Sequence, residues 1–413
     1  MRLPHLIAIL MMAGAGLAFA QPGFEQIDQP PHNYRQRTPQ DRFTRLKAAL
    51  ESGQIELDRT SEKAFVLSLL KTLDIPVSSQ MLVFSTTSLQ LSLISPANPR
   101  ALYFNEDVYL GYVPGGRVEI VSLDPELGGI YYIFDLPRDD RPLRIERSER
   151  CMNCHAAEQT GNIPGLVVKS VIPGPTGGSL TAYRLDQTGH GIPFDQRFGG
   201  WYVTGQDGIT NHLGNLTGRL SAGTLTKIPN PPGGRFSFNK YPVATSDVLP
   251  QLLLEHQAGF VNRVVEASYR ARTALHDSGG RLSSAQAAEL DAQAEIITRY
   301  VLFADETPLP PGGLTGDSNF KQDFLQKRRA VNGEALKDLD LRTRLFKHRC
   351  SYMIYSPVFT GLPPVMKQRV YRRLGDALAL KKPSKAYAYI PSAEKQMIRR
   401  ILKATCTDLP RKW

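Results

Sequence analysis

The stretch from Met81 to Leu136 constrains the fold more than any other part of the chain. Its hydrophobic period is two, in segments rich in Val, Ile, Tyr and Phe: MLVF at 81–84, ALYF at 101–104, DVYLGYV at 107–113, RVEIVSL at 117–123 and GIYYIFDL at 129–136. Alternation of this kind marks strands half buried on each face. PGG at 114–116 and DPELGG at 124–129 supply the turns between them. Such closely spaced strands join by hairpins, so the expectation is an antiparallel meander. Tyr103, Tyr109, Tyr112, Tyr131 and Tyr132 stand within it, residues that pack strands and can also line a ligand.

On both sides of this stretch the period returns to that of a helix. Thr38 and Pro39 open one carrying Phe43, Leu46 and Leu50 and stopped by Gly53; a second runs from Ser61 with Phe65, Leu69, Leu70 and Leu73 inward. Residues 150–245 are irregular and glycine-rich, with GPTGGS and FGGWYVTG as hairpins or bulges. From Asp247 to Ala274, Leu249, Leu252, Leu253, Phe260, Val264 and Val265 recur at helical spacing, and further helices are predicted at 283–303, around 336–347, at 363–380 and at 391–405. The predicted class is α+β: N-terminal helices and an antiparallel meander, a loop-rich segment, then a helical C-terminal half. With 41% apolar and 22% charged residues, the composition excludes a disordered or collagen-like chain.

The first twenty residues have the form of an export signal: Arg2, an apolar run from Leu6 to Leu17, then Ala18-Phe19-Ala20 as a small-x-small cleavage site. The apolar run is shorter than the roughly 20 residues a membrane span needs. The expected organisation is a signal peptide at 1–20 cleaved after Ala20, a flexible leader at 21–42, an α+β region at 43–245 and a basic helical region at 246–413, in a periplasmic protein. Net charge is +11, and residues 341–413 hold 17 Lys and Arg against Asp376, Glu394 and Asp408. An exported chain rarely meets nucleic acid, so this excess suits an acidic protein partner, an anionic membrane surface or a solvated helical face.

One motif carries chemistry: Cys151-Met152-Asn153-Cys154-His155, a C-x-x-C-H. Two thiols three apart can add across the two vinyl groups of one haem, and the next residue offers an imidazole to the iron. Export agrees with this, because haem c is attached outside the cytoplasm. A thioredoxin-like pair would need a preceding strand in a βα pattern, whereas RPLRIERSER precedes the motif. A zinc site would need four ligands, and Cys350 and Cys406 are the remaining cysteines. A disulfide between Cys151 and Cys154 would leave His155 unexplained.

In these five residues the chain resembles the c-type cytochromes. The resemblance implies one covalent haem c, with Cys151 and Cys154 as thioether positions and His155 as proximal ligand. The remainder is similar only to uncharacterised exported bacterial haem proteins and implies no activity. Unlike small cytochromes, this chain has its motif in mid-sequence and no Met between 152 and 353. His212, in the glycine-bearing loop TNHLGN, is the first candidate for the second axial position, with Met353 in CSYMIY as the alternative and an iron without a second protein ligand as a third case. His190, His256, His276, His348, Met366 and Met397 are more remote candidates. In an oxidising compartment Cys350 and Cys406 are expected to pair, closing a loop worth on the order of 4 kcal/mol in the chain-entropy model.

The leading functional reading is a monohaem electron carrier serving a redox partner protein. The alternatives are a haem enzyme or gas or redox sensor with an open iron, in which Arg197, Trp201 and Tyr202 form a polar pocket of the peroxidase sort, and a binding module with structural haem.

Overall fold

A computed structural model describes residues 27–137, 141–183, 189–205, 208–381, 384–410 and 413. The expected signal peptide and the first residues of the leader lie outside the described residues. The chain is α+β. Helices α1 (Arg42–Glu51) and α2 (Glu62–Thr72) precede strands β1 (Met81–Val83), β2 (Arg100–Phe104), β3 (Val108–Tyr112), β4 (Arg117–Asp124), β5 (Gly128–Asp135) and β6 (Glu146–Arg147). A short helix, α3 (Met152–His155), then hairpin β7 (Ser170–Pro173) and β8 (Ser179–Tyr183), strand β9 (Trp201–Tyr202) and hairpin β10 (Leu216–Ser221) and β11 (Thr224–Pro229) fill the middle. Helices α4 (Val248–Asp277), α5 (Ser284–Val301), α6 (Ser318–Gln326), α7 (Pro357–Thr360), α8 (Pro364–Ala377) and α9 (Ser392–Thr405) complete it.

The meander is antiparallel throughout. Its seven strands run in the order β6-β5-β4-β3-β2-β1-β9. The register gives the sheet two faces of different ownership. Leu102 pairs with Gly111, Gly111 with Glu119 and Glu119 with Ile133, so these residues share one face with Tyr109, Val121 and Tyr131. The other face carries Tyr103, Leu110, Tyr112, Ile120 and Tyr132, in one core with Phe43, Phe65 and Leu69 of α1 and α2. On the first face Met81, Val83, Tyr109 and Trp201 belong to a second core with α4 and the C-terminal helices.

Helix α4 is buried further round than the apolar stripe of its sequence. Every residue from Val248 to Val261 is buried, the expected pattern for a helix with partners on all sides. Its polar members are matched. Gln257 accepts from Tyr109 and donates to Tyr352, and Glu255 faces Arg197 at 3.0 Å with both side chains 2% exposed. Among the described residues no helix is long and apolar enough to cross a membrane.

Two expectations need correction. The leader is not loose from Ile27 onward: Tyr34 is buried and donates to Gly129 O at 2.7 Å, His32 stacks on Tyr269 at 4.2 Å, and Arg147 donates to the carbonyls of Tyr34 and Arg37. A few anchors among prolines outweigh a polar composition. No helix forms around 336–347. Asp338 takes the Ala335 N–H and Asp340 the Arg342 N–H, while Leu341 sits at φ 59°; side chains that bind nearby backbone compete with helix formation. Instead α6 forms upstream, capped by Asp317, which accepts from Phe320 N, with Phe320 and Phe324 buried on one face.

The Arg197–Glu255 pair yields a stability test. Arg197→Ala removes the counter-charge from a carboxylate that cannot reach water, and the expected cost is about 3–5 kcal/mol. Urea unfolding of the variant against the parent chain measures it; a change below about 1 kcal/mol would mean that the pair is not buried as described.

Candidate functional site

The C-x-x-C-H motif lies where the meander's first face is left uncovered by α4. A single 3₁₀ turn, Glu149–Cys151, runs straight into α3. Helical spacing puts Cys151, Cys154 and His155 on one side, at i, i+3 and i+4. Met152 turns the other way and is 7% exposed in the N-terminal core, which fastens the short helix to the sheet. All four cysteines are free thiols, and burial raises the pKa of the Cys151 thiol.

His155 is held at one nitrogen. Its Nδ1 lies 3.0 Å from Gly165 O; a carbonyl only accepts, so Nδ1 carries the proton and Nε2 keeps its lone pair. Nε2 has no hydrogen-bond partner among the described residues. Burial lowers the imidazole's pKa, against the opposing effects of the Gly165 hydrogen bond and Glu119 and with Arg100 and Lys169 adding to the lowering, which favours the neutral ring that can ligate. Tyr131 packs against it with ring centroids 4.7 Å apart and donates to the same Gly165 O at 2.7 Å. The carbonyl is itself fixed from behind. Asn262 of α4 accepts from Leu166 N at 2.7 Å and donates to Leu166 O at 2.9 Å.

Beside these residues is a cavity of about 450 Å³, within the range of small-molecule and cofactor sites. The sheet forms one wall through Arg100, Leu102, Tyr109, Gly111, Glu119, Val121 and Tyr131, all on the same face by register. The lining is completed by Cys151, Cys154, His155, residues Leu166 to Lys169, Trp201, Leu254 and residues Thr86 to Leu89. Gly111 makes the wall recede: a Cβ there would lie 3.3 Å from Leu102 and 3.4 Å from Glu119 Oε2. The arrangement suits a flat, mainly apolar ligand fixed at two thiols and one imidazole.

The structure does not bring the other candidate ligands to this cavity. His212 accepts from Gly214 N at 2.9 Å and meets Phe198 edge-on; Met353 is fully buried in the C-terminal core. Neither lines the cavity, and among its described lining residues His155 is the one histidine and there is no methionine. His190 and His256 face each other, Nδ1 to Nδ1, at 2.8 Å, and His256 also reaches Ser351 Oγ at 2.8 Å. Burial pushes the His256 pKa down to about 3. These are core histidines with polar partners. Of the expected distal set only Trp201 lines the cavity, its Nε1 donating to Lys169 O. Arg197 is spent on Glu255 and on the carbonyls of His190 and Ile192, and Tyr202 faces the N-terminal core.

Cys350 is fully buried and Cys406 half-buried; the thiols are unbonded, and burial first, then the nearby Cys406, raises the pKa of Cys350. A separate cluster, Glu334, Asp338 and His348, has ligand atoms within 4.8 Å of one another. Lys347 and Arg328 already engage its carboxylates, so it reads as an ion-pair network. Part of the C-terminal basic excess is likewise paired, Arg369 and Arg372 with Asp291 and Arg373 with Glu295.

Sequence reasoning missed Arg100, Gly111, Glu119, Gly165 and Asn262. Two carried a signal: Gly111 is an isolated glycine within a strand pattern, which often marks a close approach by a ligand or backbone, and Glu119 is a carboxylate amid an apolar strand. Nothing local pointed to Asn262, since its partner lies 96 residues away. No family model, curated protein or solved structure matches the chain.

The clamp on Gly165 is open to a direct test. A Cβ at this position would fall 2.5 Å from Asn262 Oδ1, so Gly165→Ala is expected to cost about 1–3 kcal/mol of stability. Asn262→Ala removes the obstacle. In a double-mutant cycle measured by thermal or urea unfolding, the two should be clearly non-additive; additivity would show that the amide does not pack on this glycine.

Proposed function

We propose that this chain is an exported monohaem c-type haem protein, with the haem in the cavity between the meander and residues 151–169. Cys151 and Cys154 would form the two thioethers, each thiol S–H adding across one vinyl group so that the new bonds are C–S and C–H and no oxidant is needed. His155 would ligate through Nε2. The observation that carries the reading is the coincidence of three things at one place: the motif on one helical face, an imidazole whose Nδ1 is committed to Gly165 O, and a largely apolar cavity directly before it. Residues so arranged fit the group, because a committed Nδ1 fixes both tautomer and ring orientation.

When bound, the haem supplies an iron that exchanges single electrons or takes a small ligand. What the chain's own residues do then separates the two readings. Electron transfer as expected from the sequence is served best by a second protein ligand. The lining favours the alternative, a haem enzyme or sensor with an open position, because no second histidine and no methionine stands among the described lining residues. Tyr109, Trp201, Val121 and Leu254 shield that space, while Arg100 and Glu119 bring polarity to it. We take the signal at 1–20 to send the chain to the periplasm, where Cys350 and Cys406 would pair and an acidic redox partner is the fitting one for the basic helices.

Optical spectra of the protein purified from a host that matures haem c test this. The reduced protein should bind carbon monoxide, and His212→Ala and Met353→Leu should leave the spectrum unchanged. A low-spin iron indifferent to the gas, converted to a gas-binding form by His212→Ala, would restore the electron-carrier reading with His212 as ligand. For the second pair of cysteines, thiol titration of unreduced, denatured protein should find none free. Two titratable thiols would refute the bridge.

A further inference from the structure

The sheet wall of the cavity carries a group that the haem reading has not used. Arg100 opens β2, and its guanidinium reaches past β3 to Glu119 of β4. Its Nη1 donates to Glu119 Oε2 at 2.8 Å. Its Nε, also buried, has no hydrogen-bond partner. Glu119 is fully engaged: Oε1 accepts from Ser88 Oγ at 2.9 Å and from Gln90 Nε2 at 3.0 Å, and Oε2 from Arg100. Its carboxyl is held below the usual range by Arg100 and these donors against the effect of burial. The carboxylate therefore fixes the guanidinium at one corner and leaves another edge of the fork uncommitted.

Gly111 leaves the stem of Arg100 uncovered. It pairs with Glu119 on the neighbouring strand, and a Cβ here would come within 3.6 Å of Arg100 Cδ, so any larger residue would cover the stem of Arg100 and narrow the cavity beside it. The charges lining the cavity point the same way. Arg100, Arg150 and Lys169 are cationic and Glu119 alone is anionic among the described lining residues, an excess of two positive charges around an otherwise apolar space.

We propose that Arg100, positioned by Glu119 and with its stem left uncovered by Gly111, is a carboxylate-binding site on the sheet wall of the cavity, and that a propionate of the haem is its occupant. A guanidinium fork matches a carboxylate in shape and charge, and two surplus cations match the two propionates of one haem. The inference rests on the haem reading. The same chemistry would also receive a small carboxylate from solution, and the test separates these sources.

Arg100→Ala and Arg100→Lys are compared with the parent protein in two measurements, the midpoint potential as a function of pH and the affinity of the ferric protein for formate. With a propionate on Arg100, loss of the cation raises the pKa of that carboxyl and favours ferric iron. The pH-dependent step in the potential then moves to higher pH and the potential falls in Arg100→Ala, while formate affinity changes less than twofold. With a free carboxylate as occupant, formate affinity falls about tenfold or more and the pH-dependent step stays in place. Should Arg100→Ala fail to fold because Glu119 loses its counter-charge, Arg100→Lys keeps that charge but lacks Nε, and the same shifts are read from it at smaller amplitude. Coloured variants with an unchanged potential profile and unchanged formate affinity would overturn the site while leaving the haem reading intact; a wild-type chain that takes up no haem would remove both.

Discussion

The candidate site depends on a single carbonyl. Gly165 O accepts from His155 Nδ1 and from Tyr131 Oη, and so joins the motif helix, the sheet and the segment leading to Lys169 in one contact. Asn262 holds the next residue's backbone by two hydrogen bonds, which carries the restraint into α4, the most deeply buried helix. Each neutral bond is worth only about 1 kcal/mol net. Their consequence is geometric: the imidazole of a four-residue helix, too short to be stable alone, is held in one tautomer and one orientation.

The cavity itself follows from sheet register. Period-two alternation commits one face to the N-terminal helices, and those side chains close a conventional core. The other face has two halves. Met81, Val83 and Trp201 pack beneath the C-terminal helices, while Gly111 and its neighbours remain open toward the motif. A buried Arg100 Nε left without a partner costs about 1–3 kcal/mol, comparable with the whole effect of an ordinary core substitution.

How much was legible in the sequence depends on the range of the interaction. The strands between Met81 and Leu136 and the helices at α1, α2, α4, α5, α8 and α9 follow from local periodicity and from caps such as Ser61 and Asp247, although α1 is capped by Asp41 rather than opened at Thr38 and Pro39. The three motif residues followed from spacing. Tyr131 was visible as an aromatic in a strand, but its pairing with His155 needs the register. The order of the helices around 318–347 was misread because Asp338 and Asp340 redirect backbone hydrogen bonds that apolar spacing cannot reveal. Arg197 was placed at the site by nearness in sequence, yet its partner Glu255 lies 58 positions on and draws it into the core. Arg100 and Glu119 reach the cavity through pairing across β2, β3 and β4, which no local window contains.

The central claim is that residues 151–155, presented by this fold, receive one covalent haem. Intact mass spectrometry of the denatured protein, exported by a host that matures haem c, tests it most directly. The account predicts the mass of the chain from Gln21 onward plus one haem, with Cys151→Ala and Cys154→Ala each weakening or abolishing the adduct. A wild-type chain of unmodified polypeptide mass, produced where other c-type proteins mature normally, would contradict it.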